Sequence, residues 1–146
     1  MNQHLKNRQQ WHLNQAIHNE AACNFLHHDS QFFDWVVNTA FYSALHYVSS
    51  VIFPLEIREE KGLHTVYTVE EYCEIVPTHN NKHRVLSELV YEHCKGIGKT
   101  YDRLLDMSFK SRYEFGCHDS SYSTTARRYL QQVQQHCHSQ NVAKRA

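Results

Sequence analysis

Four things are missing from this sequence, and each absence narrows its reading. There is no excess of either charge: fifteen Lys and Arg balance fifteen Asp and Glu over 146 residues. A globally basic chain that coats nucleic acid is therefore not indicated, although a balanced total leaves room for a local patch. There is no C-x-x-C pair. The five cysteines, Cys23, Cys73, Cys94, Cys117 and Cys137, are odd in number and widely spread, which fits free thiols in a reducing, cytoplasmic setting. The opening MNQHLKNRQQ is polar and lacks an apolar run ahead of a cleavage site, so no secretory leader is expected. Finally, no stretch stays apolar over the about 20 residues that a bilayer span requires.

The stretch that comes nearest is Phe32 to Phe53, FFDWVVNTAFYSALHYVSSVIF, interrupted by Asp34, Asn38, His46 and several hydroxyls. Its apolar side chains point nearly all round a helix, as they do in a helix buried in a bundle. One row departs from this: Asp34, Asn38, Tyr42 and His46 recur every fourth residue and share a face. Such a row is either a satisfied polar network that fixes helix register or a set that binds a ligand or orients a catalytic histidine.

The rest of the chain predicts helices packed around this one, in a single domain over 1–146 with 1–3 and 140–146 frayed. A first helix is expected over Gln3–His28, with Leu13, Ala16, Ile17, Ala21, Ala22, Phe25 and Leu26 facing the core. Asp29 or Ser30 is placed to cap the central helix, and so short a connection implies an antiparallel helical hairpin. Pro54 ends the central helix. Leu55–His79 reads as a long connection with a charged run, Glu56 to Lys61, and one short helix opened by the capping box Thr68-x-x-Glu71. A third long helix is expected from Asn80 to about Lys110, interrupted at Gly96 and Gly98, and a last one over Tyr122–His138. No strand is expected. The predicted class is all-α, an antiparallel bundle of four to five helices.

Thirteen histidines invite a metal, and Cys23/His27 and His79/His83 are helical i,i+4 pairs. Four convergent ligands for zinc are not evident, and the Glu-x-x-His motifs of a di-iron bundle are missing. No metal and no cofactor is assigned. The segment Ser111-Arg112-Tyr113-Glu114-Phe115-Gly116-Cys117-His118 offers different chemistry. Cleaving RNA without a metal needs a group that takes the 2′-hydroxyl proton, a role within reach of histidine. It also needs a fixed cation beside the phosphorane, a role suited to the forked guanidinium of arginine. Arg58 and His64 repeat the same spacing, so spacing alone does not single out Arg112 and His118. Lys95, Lys99 and Arg103, followed by Lys110 and Arg112, form a row on the third helix that leads to the motif and either tracks a phosphate backbone or is simply a solvated face.

From the central helix onward the chain resembles the HEPN superfamily, over roughly Ser30 to Cys137. The likeness lies in DWVVNTAFYSALHYV, in HNNKHRVLSELV and above all in YDRLLDMSFKSRYEFGCHD. It implies an all-helical, HEPN-like bundle that forms a homodimer with a composite site at the subunit interface. Many family nucleases carry an Arg, four to six residues and a His where the third long helix gives way to the fourth. Arg112 and His118 occupy that place, and Arg58 and His64 do not. Tyr113 stands where many relatives have a polar residue. The resemblance implies a metal-independent endoribonuclease in a toxin or antiviral-defence setting, cutting by 2′-hydroxyl attack. Arg112 and His118 would be catalytic, and Lys95, Lys99, Arg103, Lys110 and Tyr113 would contact RNA. Asp34, Asn38, Tyr42, His46, His83 and Arg84 would support the site. An antitoxin or a nucleotidyltransferase is the further partner that relatives suggest. The alternative is a non-catalytic dimerisation module that binds a nucleotide or a partner protein.

Overall fold

The computed structural model describes residues 3–29, 31–114 and 119–145. In chain order these form α1 (Gln3–Asp29), α2 (Phe33–Ile52), β1 (Leu55–Glu59), β2 (Gly62–Val66), α3 (Val69–Ile75), α4 (Lys82–His93), α5 (Gly98–Tyr113) and α6 (Ser120–Arg145). The protein is mostly helical. No helix among the described residues is long and apolar enough to cross a membrane.

α2 is the centre of the fold and packs against α1, α4, α5 and α6. Val36, Val37, Ala40, Phe41, Ala44 and Val48 are fully buried along it. Burying each of the larger ones is worth about 1.5–3 kcal/mol. Small residues set the approach of α1: Ser43 Oγ donates to the Ala16 carbonyl at 2.8 Å. The seam on α1 is correspondingly narrow. His12, Ala16 and Cys23 are buried, whereas Ile17 and Phe25, expected inward, are 57% and 76% exposed. α2 opens at Phe32 without a side-chain cap, and Asp29 is instead the last residue of α1; Ser30 lies outside the described residues.

Three expectations need correcting. Residues 55–66 form an antiparallel hairpin, with Leu55 opposite Val66 and Ile57 opposite His64. The charged run hid an alternation in which Leu55 and Ile57 turn inward while Glu56 and Arg58 turn out. Gly62, at φ 135°, starts the return strand, a conformation that glycine adopts without steric cost. Arg58 faces its partner Leu63 on one side of the hairpin, and His64 lies with Ile57 on the other, so this Arg–His pair does not converge.

The expected third helix is two, α4 and α5. Cys94 caps α4, and Gly96, at φ 95°, turns the chain. Gly98 then admits the ring of Tyr91, whose Cδ1 would sit 2.5 Å from a Cβ at that position. The tail, expected to fray, continues α6 to Arg145. It docks through Asn141, which is 7% exposed: Asn141 Nδ2 donates to Ser50 Oγ at 3.1 Å, and Lys144 Nζ donates to the Val51 carbonyl. The short helix does start where the capping box places it. Thr68 Oγ1 accepts from Glu71 N at 3.1 Å, and Glu71 Oε2 accepts from Tyr67 N at 2.6 Å.

Candidate functional site

Arg112 stands in the last turn of α5, exposed. Its Nε donates to the Ser108 carbonyl at 3.2 Å, and its Nη1 lies 3.5 Å from the Tyr42 hydroxyl of α2. The guanidinium also lies over the Tyr113 ring, 5.6 Å from its centroid. None of the described carboxylates forms an ion pair with it. An arginine oriented by neutral oxygens keeps its full charge for an anion. His118, the expected partner, lies outside the described residues, as do Phe115, Gly116 and Cys117.

The polar row of α2 divides between two jobs. Asn38 is 4% exposed; its Oδ1 accepts from Ser108 Oγ at 2.9 Å and Ser111 Oγ at 3.4 Å, and its Nδ2 donates to the Asp34 carbonyl. This part is a satisfied network that fixes α2 against α5, one residue away from Arg112. Asp34 supplies that carbonyl, and its carboxylate sits in the first turn of α2, where negative charge is favoured by the helix dipole. Tyr42 and His46, one and two turns further on, leave the network and line a cleft of about 200 Å³ together with Trp11, His12, Glu70 and His83.

Three imidazoles meet this cleft. His12 Nδ1 and His46 Nδ1 are 3.2 Å apart, and His12 Nε2 is 3.2 Å from the Tyr67 carbonyl. A carbonyl only accepts, so His12 carries its hydrogen on Nε2 and accepts at Nδ1 from His46. That leaves His46 Nε2 as a bare lone pair without a hydrogen-bond partner among the described residues. The edge of Trp11 meets both rings, at 5.0 and 5.4 Å. Burial, then the neighbouring His12, brings His46 down to about 4; burial also lowers His12. His83, at the start of α4, packs against Phe41 at 5.6 Å. Burial first, then the charges of Lys82 and Arg112, hold it below the ordinary histidine value, against the opposite pull of Glu70. Across the cleft, Lys82 Nζ donates to Glu70 Oε1 at 3.0 Å.

The other expected contacts lie elsewhere. Arg84 is tied to Asp102 at 3.0 Å, so it joins α4 to α5. Lys99 and Arg103 are exposed, and Lys110 pairs with Asp106 at 3.0 Å. At about 100° per residue these three occupy one flank of the buried face of α5 and Arg112 the other. The row therefore does not lead to Arg112. Lys95 sits in the turn before α5. Tyr113, 69% exposed, packs on Phe109 at 5.0 Å between ring centroids. Trp11, His12, Glu70 and Lys82 were not anticipated. One trace of His12 is in the sequence: it stands four residues before Ala16, on the buried seam of α1. Among the described residues no group of three or more His, Cys, Asp or Glu is placed to hold a metal ion.

No protein-family model, curated protein or solved structure matches this chain.

Proposed function

We propose that the protein is a metal-independent endoribonuclease of HEPN-like fold. In this reading Arg112 holds the scissile phosphate and His118 acts as general acid/base. The observation that carries it is the state of Arg112: a permanent cation, oriented by Ser108 and Tyr42, without a carboxylate partner among the described residues, whose charge helps to lower the pKa of His83. A phosphodiester supplies the missing anion, and the same guanidinium stabilises charge as the phosphorane forms. The sequence resemblance adds the place of Arg112 and His118 between two helices, a homodimer with a composite site and a toxin or defence role, and the scattered cysteines add a cytoplasmic setting. An antitoxin or nucleotidyltransferase partner belongs to the same reading.

Attack by the 2′-hydroxyl makes a definite product. Mapping the ends of fragments from a mixed RNA pool is expected to find 2′,3′-cyclic phosphates and 5′-hydroxyls. Fragments ending in 3′-hydroxyl and 5′-phosphate would instead mean that water is the nucleophile.

A non-catalytic module that binds a nucleotide is the second reading. The cleft beside Trp11 favours it, because an aromatic wall and the open His46 Nε2 acceptor suit a donor-bearing ring. Calorimetric binding of nucleoside monophosphates by a protein that leaves RNA intact would support it.

A further inference from the structure

α2 runs into a proline, and the groups that satisfy its end build a cleft. The helical partner of the Ser50 carbonyl would be the N–H of residue 54, which Pro54 lacks. Gln9 Nε2 of α1 donates to that carbonyl at 2.9 Å instead. Lys144 Nζ of α6 donates to the next one, the Val51 carbonyl. Buried Asn141 ties the two helices together: its Nδ2 donates to Ser50 Oγ at 3.1 Å, and its Oδ1 accepts from Gln9 Nε2 at 3.5 Å. The start of α1 and the end of α6 thus meet at the Phe53–Pro54 corner, around a cleft of about 650 Å³. Small-molecule sites commonly enclose about 300–1,000 Å³.

Three cations line this cleft, Lys6, Lys144 and Arg145, and no carboxylate does. None of the three forms an ion pair among the described residues. Lys144 is held by a neutral carbonyl, which leaves its charge and two of its three N–H donors for a ligand. Like charges gathered without counter-charge repel one another, and a bound anion removes that cost.

We propose that this cleft binds a small polyphosphate, two or more linked phosphoryl groups, as the inorganic anion or as part of a nucleotide. One phosphate monoester carries a charge of about −1.5 to −2 at neutral pH, fewer than the three cations match. Linked phosphoryl groups carry enough, and their oxygens suit the ammonium groups and the fork of Arg145. An RNA strand spreads its charges along its length, whereas this cleft gathers its cations at one place. The site is separate from Arg112, which meets α2 at Tyr42. From Tyr42 to Phe53 the chain advances about 16 Å along a helix axis. The proposal therefore does not depend on the nuclease reading.

Calorimetric titration in EDTA tests it, with sodium tripolyphosphate, ATP, AMP and adenosine as probes and folding followed by circular dichroism. Tripolyphosphate and ATP are expected to bind one per chain, AMP at least about tenfold more weakly, and adenosine not at all; added salt is expected to weaken binding. Equal affinity for tripolyphosphate and ATP would make the phosphates alone the ligand, and tighter binding of ATP would make it a nucleotide. Lys6→Gln and Arg145→Gln are each expected to weaken binding about tenfold, as the loss of one charged hydrogen bond does. Tripolyphosphate is expected to raise the Tm of wild type and to leave that of the double variant unchanged. If the double variant loses its helical signal, Lys6→Gln alone is read in its place. Arg112→Ala is expected to bind as wild type does. Absence of binding at millimolar tripolyphosphate and ATP, equal affinity in the folded Lys6→Gln variant, or loss of binding in Arg112→Ala would overturn the proposal.

Discussion

His12 and His46, thirty-four residues apart in the chain, meet Nδ1 to Nδ1 at 3.2 Å across the seam between α1 and α2. Two cationic rings do not occupy that position together, so the contact requires that at least one of them stay neutral. The Tyr67 carbonyl behind His12 sets the direction of the shared hydrogen.

The pair predicts an acid-sensitive fold. Both rings lie below the value of about 6.5 for an unfolded histidine, His46 at about 4. Groups lowered on folding contribute stability that is fully present above the unfolded value and is lost as pH falls through the folded one. Stability is therefore expected to decline between about pH 6.5 and about pH 4. The His46 contribution is on the order of 2 kcal/mol after allowance for partial screening by solvent. Thermal unfolding measured across that range checks it; an equal Tm at pH 7 and pH 4.5 would contradict it.

Asn38 predicts a second effect, this time on the register of α2 and α5. Asn38→Leu removes the acceptor of two buried hydroxyls, those of Ser108 and Ser111. Leaving such groups without their partner costs about 1–3 kcal/mol. Urea unfolding is expected to show the loss at an unchanged m-value. Ser108→Ala in the Asn38→Leu background is expected to cost less than Ser108→Ala alone, because the partner has already gone.

At the α4–α5 turn the sign of a substitution depends on its neighbour. Gly98→Ala drives a methyl against the Tyr91 ring and is expected to destabilise by about 1 kcal/mol. Once Tyr91→Ala has removed the ring, the same substitution is expected to stabilise by about 0.5–1 kcal/mol through helix propensity. Denaturation of the two single variants and the double variant measures both. Failure of the sign to reverse would show that Gly98 serves the turn for another reason.

How much of this was legible in the sequence varies by element. The buried positions of α2 and the Thr68 cap follow from local patterns, and local patterns are what a sequence displays. The hairpin was hidden because its strands are five residues each and five of the six residues from Glu56 to Lys61 are charged. The break between α4 and α5 was signalled by Gly96 and Gly98, but whether two glycines interrupt a helix or end it depends on the positive φ at Gly96 and on Tyr91 folding over Gly98. The end of α6 looked frayed because its polar residues have their partners on α1 and α2, far away in the chain. The candidate site divides in the same way. Arg112, Tyr42, His46 and His83 were marked by spacing. His12 was one of thirteen histidines, marked in the sequence by nothing but its place four residues before Ala16, and its pairing with His46 is a contact between distant parts of the chain. The basic row of α5 was read as leading to Arg112, and the rotation of the helix turns it to the other flank.

Cleavage of a mixed RNA pool in EDTA by wild type, Arg112→Ala, Arg112→Lys and His118→Ala, each checked for folding by circular dichroism, tests the central claim most directly. Wild type is expected to cut and both alanine variants to be inactive. Arg112→Lys is expected to retain only a small fraction of the activity, because lysine keeps the charge without the fork that engages two phosphate oxygens. An inactive wild type, or His118→Ala cutting at the wild-type rate, would contradict the assignment and leave the protein as a binding module.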